Sequence, residues 1–368
     1  MSVPIQIGSA RSHPGQIVYG QFDAVPLPTG GIETLPVIIA QGRSGDGPVL
    51  WLTASIHGNE YDGLLAIHRL ITPDLVEQLN GTIVAIPTLN PAGLRSGARA
   101  PYYQHGKDPN RLFPGMPLEG SGRDPHLPSA LELSYARLFA HIDATADFLI
   151  DLHNYGSRSI PFVFRDPVFY HNTRDYHAAV RLQHMVGEMV QALGLTVVNE
   201  YVSDQYVEMG LHRSVSGATL NTARIPAVTV ELGGQNAVNP VCVQEVVAGI
   251  RNVMRWASML PGPAEQVAHT PVADLGYPVR RIQHPRVTEA CVVHAVVEPG
   301  QAVSAGQAVA RMVDIYGRPV GGAQGWLCSE YDGLVLGLYP GITYFPNEPV
   351  MGLAIRDDHE LIVQVPYG

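Results

Sequence analysis

Four short apolar runs, at residues 49–56, 82–87, 146–153 and 225–232, alternate with segments whose apolar positions recur at helical spacing. No other feature constrains the fold as much. Alternation of buried strands with helices is the pattern of βαβ units, and it points to a largely parallel sheet. In such sheets ligands gather at the carboxyl ends of the strands, where residues far apart in sequence converge. Three chemically capable side chains, His57, His153 and Glu231, stand at those downstream ends. With 368 residues and 46% apolar content, the chain can bury one large core and a second, smaller one, because single cores stop growing near roughly 250–300 residues.

The first run opens into Ser55-Ile56-His57-Gly58-Asn59-Glu60. On a tight turn or a first helical turn, residues three apart lie side by side, so His57 and Glu60 have the spacing of two ligands to one ion. Zinc accepts His nitrogen and Asp or Glu oxygen, and a catalytic zinc keeps one position open. A lone H-x-x-E pair is common, and on this motif alone a solvated helix N-terminus whose acid complements the dipole is the better account. The rest of the chain strengthens the metal reading. Asp151 and His153 share a strand face by the period of two, and a carboxylate beside a ligating imidazole is the usual way to orient it. Two imidazoles sharing an ion stand within about 8 Å of each other. Glu231, between Val230 and Leu232, is costly to bury unless paired or functional.

Composition removes several classes. Charged residues make up 15% of the chain and the net charge is −10, with none of the clustered Lys and Arg of a nucleic-acid groove. Lys107 is the only lysine, so a Schiff-base, lipoyl or biotinyl attachment site is Lys107 or absent, and its setting is not a phosphate-binding loop. Cys242, Cys291 and Cys328 are too few and too scattered for a disulfide framework and read as small buried hydrophobes. No signal peptide is visible and no apolar run approaches the roughly 18 residues of a spanning helix. A soluble, cytoplasmic protein without nucleic-acid or membrane partners is expected.

Along the chain, residues 1–45 read as a strand meander, and a helix should run from Gly63 to about Leu79. Residues 90–127 lack periodicity and read as a functional loop carrying Asp108-Pro-Asn110-Arg111. A helix over 129–142 has Ser129 as its cap and Glu132 completing a capping box. Helix 171–193 carries His171, His177 and His184, which lack partners at ligand spacing and read as helix-face residues. Pro261-Gly-Pro263 marks a boundary between a domain at 1–263 and a β domain at 264–368. Within the latter, residues 296–313 resemble half of a barrel-sandwich hairpin, but the absence of lysine excludes a covalent carrier. A structural cap or an oligomer contact is expected instead.

Taken together, His57-Gly-Asn-Glu60, Asp108-Pro-Asn110-Arg111, Asp151-Leu-His153-Asn154 and Val230-Glu231-Leu-Gly233 resemble the succinylglutamate desuccinylase/aspartoacylase family, relatives of the zinc carboxypeptidases. The resemblance covers about residues 30–260. It implies an α/β fold with a mixed, mostly parallel sheet flanked by helices, followed by the smaller all-β domain. It further implies one zinc ion per chain held by His57, Glu60 and His153, with Glu231 as general base, and Asn110 and Arg111 gripping a substrate carboxylate. Asp108 matches the carboxylate supporting a ligating histidine. The family's oxyanion-stabilising arginine falls here on Tyr103; Arg99, with Arg95 behind it, is the nearest substitute. The implied activity is hydrolysis of an N-acyl amino acid or a similar small amide. A metallocarboxypeptidase and a catalytically dead binding module are the alternatives.

Overall fold

The computed structural model describes residues 4–104, 106–116, 127–267, 270, 272–273 and 275–365. The four apolar runs are strands Val49–Ala54, Thr82–Ile86, Phe148–Asn154 and Ala227–Leu232, adjacent and parallel at the centre of a 13-stranded sheet. Leu50, Trp51, Leu52, Leu149 and Ile150 are fully buried, as strands covered on both faces require. The N-terminal meander adds Ile32–Gln41 and Gln16–Pro26 antiparallel to one side. On the other side Phe162–Arg165 pairs antiparallel with Ala227–Leu232, and Thr196–Asn199 returns parallel to it. The architecture is therefore the mixed α/β fold expected.

Helices Asp62–Leu70 and Thr173–Leu193 both pack on Pro240–Trp256. Helix Ala130–Thr145 begins at the predicted capping box, with the Ser129 hydroxyl accepting from Glu132 N and the Glu132 carboxylate accepting from Ser129 N. Two expectations need correction. The helix expected to reach Leu79 ends at Leu70, because Pro73 lacks the amide hydrogen and forces its predecessor out of helical geometry. Thr72 then caps a new helix, Pro73–Gln78. The loop at 90–127 contains regular structure: Asn90 caps helix Pro91–Ser96, which ends at Gly97 with φ 62°, and Asp108 caps the 3-10 turn Pro109–Arg111. Of that loop, residues 105 and 117–126 lie outside the described residues.

The change of composition after Pro263 does not coincide with a break in hydrogen bonding. Strands Val279–Gln283, Met351–Arg356, Gly333–Leu338 and Ala302–Val303 continue the main sheet, while Cys291–Ala295, Ala308–Val313, Trp326–Cys328 and Thr343–Tyr344 form a separate four-stranded antiparallel sheet. One parallel bridge, Asn199 to Arg280, joins the two parts of the large sheet. Around it Arg280 donates twice to Asp357, at 2.8 and 2.7 Å, and Asn199 donates to Asp357 at 2.6 Å.

Burial opposes the charge of Asp357, but Arg280, Asn199 and the backbone of His359 hold its carboxyl down at about 2, below the ordinary 3.8. A depressed carboxylate stabilises the fold above its unfolded value, and that stabilisation is lost as pH falls through the folded value. Breaking a buried pair costs about 3–5 kcal/mol. Asp357→Asn should therefore lower the urea midpoint at pH 7, and the gap to the native protein should narrow between about pH 4 and pH 2; a gap independent of pH would show that the seam does not depend on this charge.

Candidate metal centre and active site

The site is built at the downstream ends of the central strands. After Val49–Ala54 the chain turns sharply: Ser55 takes φ 49° and its hydroxyl donates to Glu60 O at 2.7 Å, closing the turn around His57. Gly58 is needed here, since a Cβ would lie 2.0 Å from the backbone of Gly93. His153 and Glu231 are register partners on adjacent parallel strands and so project to the same side.

Both imidazoles present Nδ1 to one carboxylate: His57 Nδ1 is 2.9 Å from Glu60 Oε1, and His153 Nδ1 is 2.9 Å from Glu60 Oε2. The ring centroids are 5.1 Å apart, inside the limit of about 8 Å for a shared ion. Each ring gives its other nitrogen to a different acid, His57 Nε2 to Asp108 Oδ1 at 2.9 Å and His153 Nε2 to Asp151 Oδ2 at 2.8 Å. Asp151 is itself fixed by the Thr53 hydroxyl at 2.7 Å. Two nitrogens and a carboxylate oxygen from His57, Glu60 and His153, all buried and all within 4.8 Å of one another, form a group that could hold a metal ion. Imidazoles anchored at the far nitrogen by carboxylates are what a zinc site of two His and one Glu requires. The residues present fit the group.

Electrostatics agree with the geometry. Burial raises the cost of the Glu60 charge, yet the two imidazoles hold its carboxyl well below the usual range. His153 is driven the other way: burial would lower it, but Asp151 and Glu60 raise it well above the ordinary value. Glu231 is pushed up to about 7 by burial, with His153 opposing and Glu60 reinforcing the shift. Its Oε2 has no hydrogen-bond partner among the described residues. A buried oxygen left open beside a metal-ligand group is positioned to accept a proton.

Asn110 and Arg111 lie in the turn capped by Asp108. Asn110 is held by Val215 N, which donates to its Oδ1 at 3.0 Å, while its amide nitrogen lies 3.4 Å from His153 Nε2. Arg111 donates Nε and Nη1 to the carbonyls of Met209 and Asn110, both at 2.7 Å. Among the described residues no carboxylate pairs with it within 4 Å. Arg99 reaches the site, 2.6 Å from Asp108 and 3.7 Å from Glu60, with its side chain half-exposed at the rim. Arg95 is exposed on helix Pro91–Ser96 and Tyr103 packs against the main core, so neither lines the cavity. His171, His177 and His184 are exposed, as expected.

The cavity, of about 90 Å³, has an inner wall that motif reading missed: Phe164, Asp166, Glu200, Ser214, Ser216, Thr229 and Arg281. Gln235 was also missed. Its amide donates to Glu60 Oε1 at 3.0 Å. Backbone bonds from Gln235 N to Gly156 O and from Asn236 N to Asn59 O, both 2.8 Å, pin the loop that carries it. The Gly233-Gly234 pair was the available signal, since a Cβ on Gly234 would lie 1.8 Å from Ser157 O.

With this geometry in hand, comparison with known proteins is decisive at the level of family. The model of the succinylglutamate desuccinylase/aspartoacylase catalytic domain matches residues 46–257, more than half of the chain. The chain belongs to this family. A curated relative, the N-alpha-acetyl-L-2,4-diaminobutyric acid deacetylase of Halomonas elongata, is 23% identical over 286 residues, 77% of this chain and 75% of the relative. The product-bound ectoine utilization protein EutE (DoeB) of Ruegeria pomeroyi superposes with a TM-score of 0.72 at 19% identity, covering 96% of this chain and 97% of that one. A succinylglutamate desuccinylase/aspartoacylase from Rhodobacter sphaeroides gives 0.69 at 20% identity, over 94% and 96%. Family membership makes the chain a member of an amide-hydrolysing group. Among the described residues no helix is long and apolar enough to cross a membrane.

If Gln235 orients Glu60 toward an ion, Gln235→Ala should weaken zinc binding about tenfold or more. Competition with a chromophoric chelator measures this, and thermal unfolding of the metal-free variant separates it from misfolding. Unchanged zinc affinity would remove Gln235 from the site.

Proposed function

We propose that the protein is a zinc-dependent deacylase that hydrolyses the amide bond of an N-acyl amino acid. The observation that carries this reading is the convergence of His57, Glu60 and His153 next to Glu231, whose buried oxygen has no partner. A zinc ion held by those three ligands would supply Lewis-acid activation of water and of the scissile carbonyl. The protein's own residues divide the remaining work. Arg111, without a carboxylate partner among the described residues, receives the substrate carboxylate, and Asn110 fixes the turn beside it. Glu231 takes a proton from the attacking water and returns it to the leaving amine; its elevated proton affinity suits both transfers. Arg99 neutralises charge developing on the carbonyl oxygen from the rim, and Asp108 and Asp151 keep the imidazoles oriented.

Support against the peptidase alternative comes from Arg281, which enters the cavity from the C-terminal part of the chain and narrows it. A small cavity favours a small amide over an extended peptide. The relative from Halomonas elongata adds support, because its named substrate is an acetylated amino acid that also carries a second amine. On the same reading residues 264–368 form a C-terminal unit that completes the site, and the protein works in the cytoplasm on a small-molecule substrate.

Zinc-loaded protein should release acetate or succinate from N-acetyl or N-succinyl amino acids and leave short peptides intact. Chelation should abolish turnover, with zinc restoring it. Glu231→Gln should lower kcat by about 10²–10⁴-fold, the usual contribution of a general base, while zinc content measured by atomic absorption stays stoichiometric. Cleavage of the peptide alone would favour the carboxypeptidase reading; full activity of the Gln variant would remove Glu231 as the base.

A further inference from the structure

Asp62 lies two residues past Glu60, in the first turn of helix Asp62–Leu70. An acid at that position ordinarily faces water and complements the helix dipole. Asp62 instead is fully buried, and both of its oxygens go to groups outside its own helix. Oδ1 accepts from the backbone N–H of Asn239 and Oδ2 from the side-chain amide of Asn154, both at 2.9 Å, and the backbone N–H of Gly233 adds to them. All three partners are N–H donors. An ionised carboxylate presents acceptors on both branches, whereas an asparagine would set its own NH2 against one of these donors.

Gly233 and Asn239 are the two ends of the loop that carries Gln235. Asn239 is a fixed point in its own right, since its side chain accepts from Val241 N and Cys242 N and so starts helix Pro240–Trp256. Between the ends, Asn236 takes φ 58°, a conformation that persists where the surroundings impose it. Gln235 donates to Glu60 Oε1 at 3.0 Å and accepts from Asn59 at 3.4 Å. One carboxylate therefore fastens both ends of a loop whose middle touches a candidate metal ligand. Asn154 also bonds the carbonyls of Gly233 and Gly234, at 3.0 and 3.1 Å, so the end at Asn239 is the one that depends on Asp62 most.

We propose that Asp62 is a positioning residue of the metal centre: it fastens loop 233–239 against helix Asp62–Leu70, keeps the Gln235 amide on Glu60, and so sets how tightly the site binds a divalent cation. The inference rests on the metal reading of His57, Glu60 and His153. The bond from Gln235 fixes the rotation of the Glu60 carboxylate, and a ligand already turned toward an ion gives up less freedom when the ion binds. Asp62 itself touches neither ion nor substrate. Its effect passes through the loop.

The test measures zinc affinity, by competition with a chromophoric chelator, in the native protein, Asp62→Asn, Gln235→Ala and the double variant. Asp62→Asn should weaken zinc binding about tenfold or more. In the Gln235→Ala background the same substitution should cost no more than about a factor of two, because residues acting through one contact are not additive. An equal loss in both backgrounds, or none in either, overturns the inference and leaves the metal reading standing. Linkage supplies a second measurement that needs no variant, since a loop that strengthens zinc binding is itself strengthened by zinc. Loading the native protein with zinc should slow hydrogen exchange at the Asn239 amide, which bonds Asp62 rather than a ligand, at least about fivefold relative to amides of strand Ala308–Val313. Unchanged relative exchange there overturns the inference even where Asp62→Asn fails to fold. A native protein that binds no zinc overturns the metal reading and this inference together.

Discussion

Everything at the site depends on one buried carboxylate placed between two imidazoles. Glu60 is 2% exposed and its two oxygens face the Nδ1 atoms of His57 and His153. Such a group is unfavourable in the interior unless its charge is matched, and the surroundings do the matching in layers. Gln235 and the backbone N–H of Asn154 also donate to Glu60. Asn154 is fixed by Asp62 at 2.9 Å and by the carbonyl of Gly233 at 3.0 Å. The turn after Val49–Ala54 and the loop after Ala227–Leu232 are therefore tied to each other through one side chain, which is how the strand ends come to act as one site.

Charge balance points the same way. Glu60, Asp108, Asp151 and Glu231 gather around two imidazoles, and among the described residues Arg99 is the one guanidinium that pairs directly with them, through Asp108 and Glu60. Asp151 and Glu60 raise the proton affinity of His153 well above the ordinary value against the opposing effect of burial. His57, Glu60 and His153 would hold a divalent ion whose charge would meet that of the carboxylates, and its binding would be coupled to proton release. A site of this composition favours a cation whether or not it is catalytic; what makes catalysis the better reading is the open oxygen of Glu231 beside it.

Sequence reading reached those features whose cause is local. His57, His153 and Glu231 could be found because each ends an apolar strand, and the Ser129 capping box because its partners are three residues apart. Pro73 was equally readable as a helix breaker, although periodicity across 63–79 concealed it. Asp108, Asn110 and Arg111 owe their recognition to family resemblance, since helix Pro91–Ser96 is too short to show a period and the turn after Asp108 has none. Gln235, Asp166 and Arg281 were out of reach for a different reason. Their significance comes from contacts with residues 175, 40 and 81 positions away, and no spacing rule reports such distances.

Arg280 and Arg281 show why the C-terminal segment belongs to the site. Neighbours on a strand point to opposite faces. On Val279–Gln283 one guanidinium goes to Asp357 and secures the seam, while the next goes to Glu200 and lines the cavity. The pairing that fastens the strand also sets the depth of Arg281 in the wall, because a shift of register by one residue would exchange the two. Arg281 in turn holds both oxygens of Glu200, while Asp166 beside it is held by hydroxyls instead. The change of composition near residue 263 therefore falls within one sheet, whose later strands still bring Arg281 to the cavity wall.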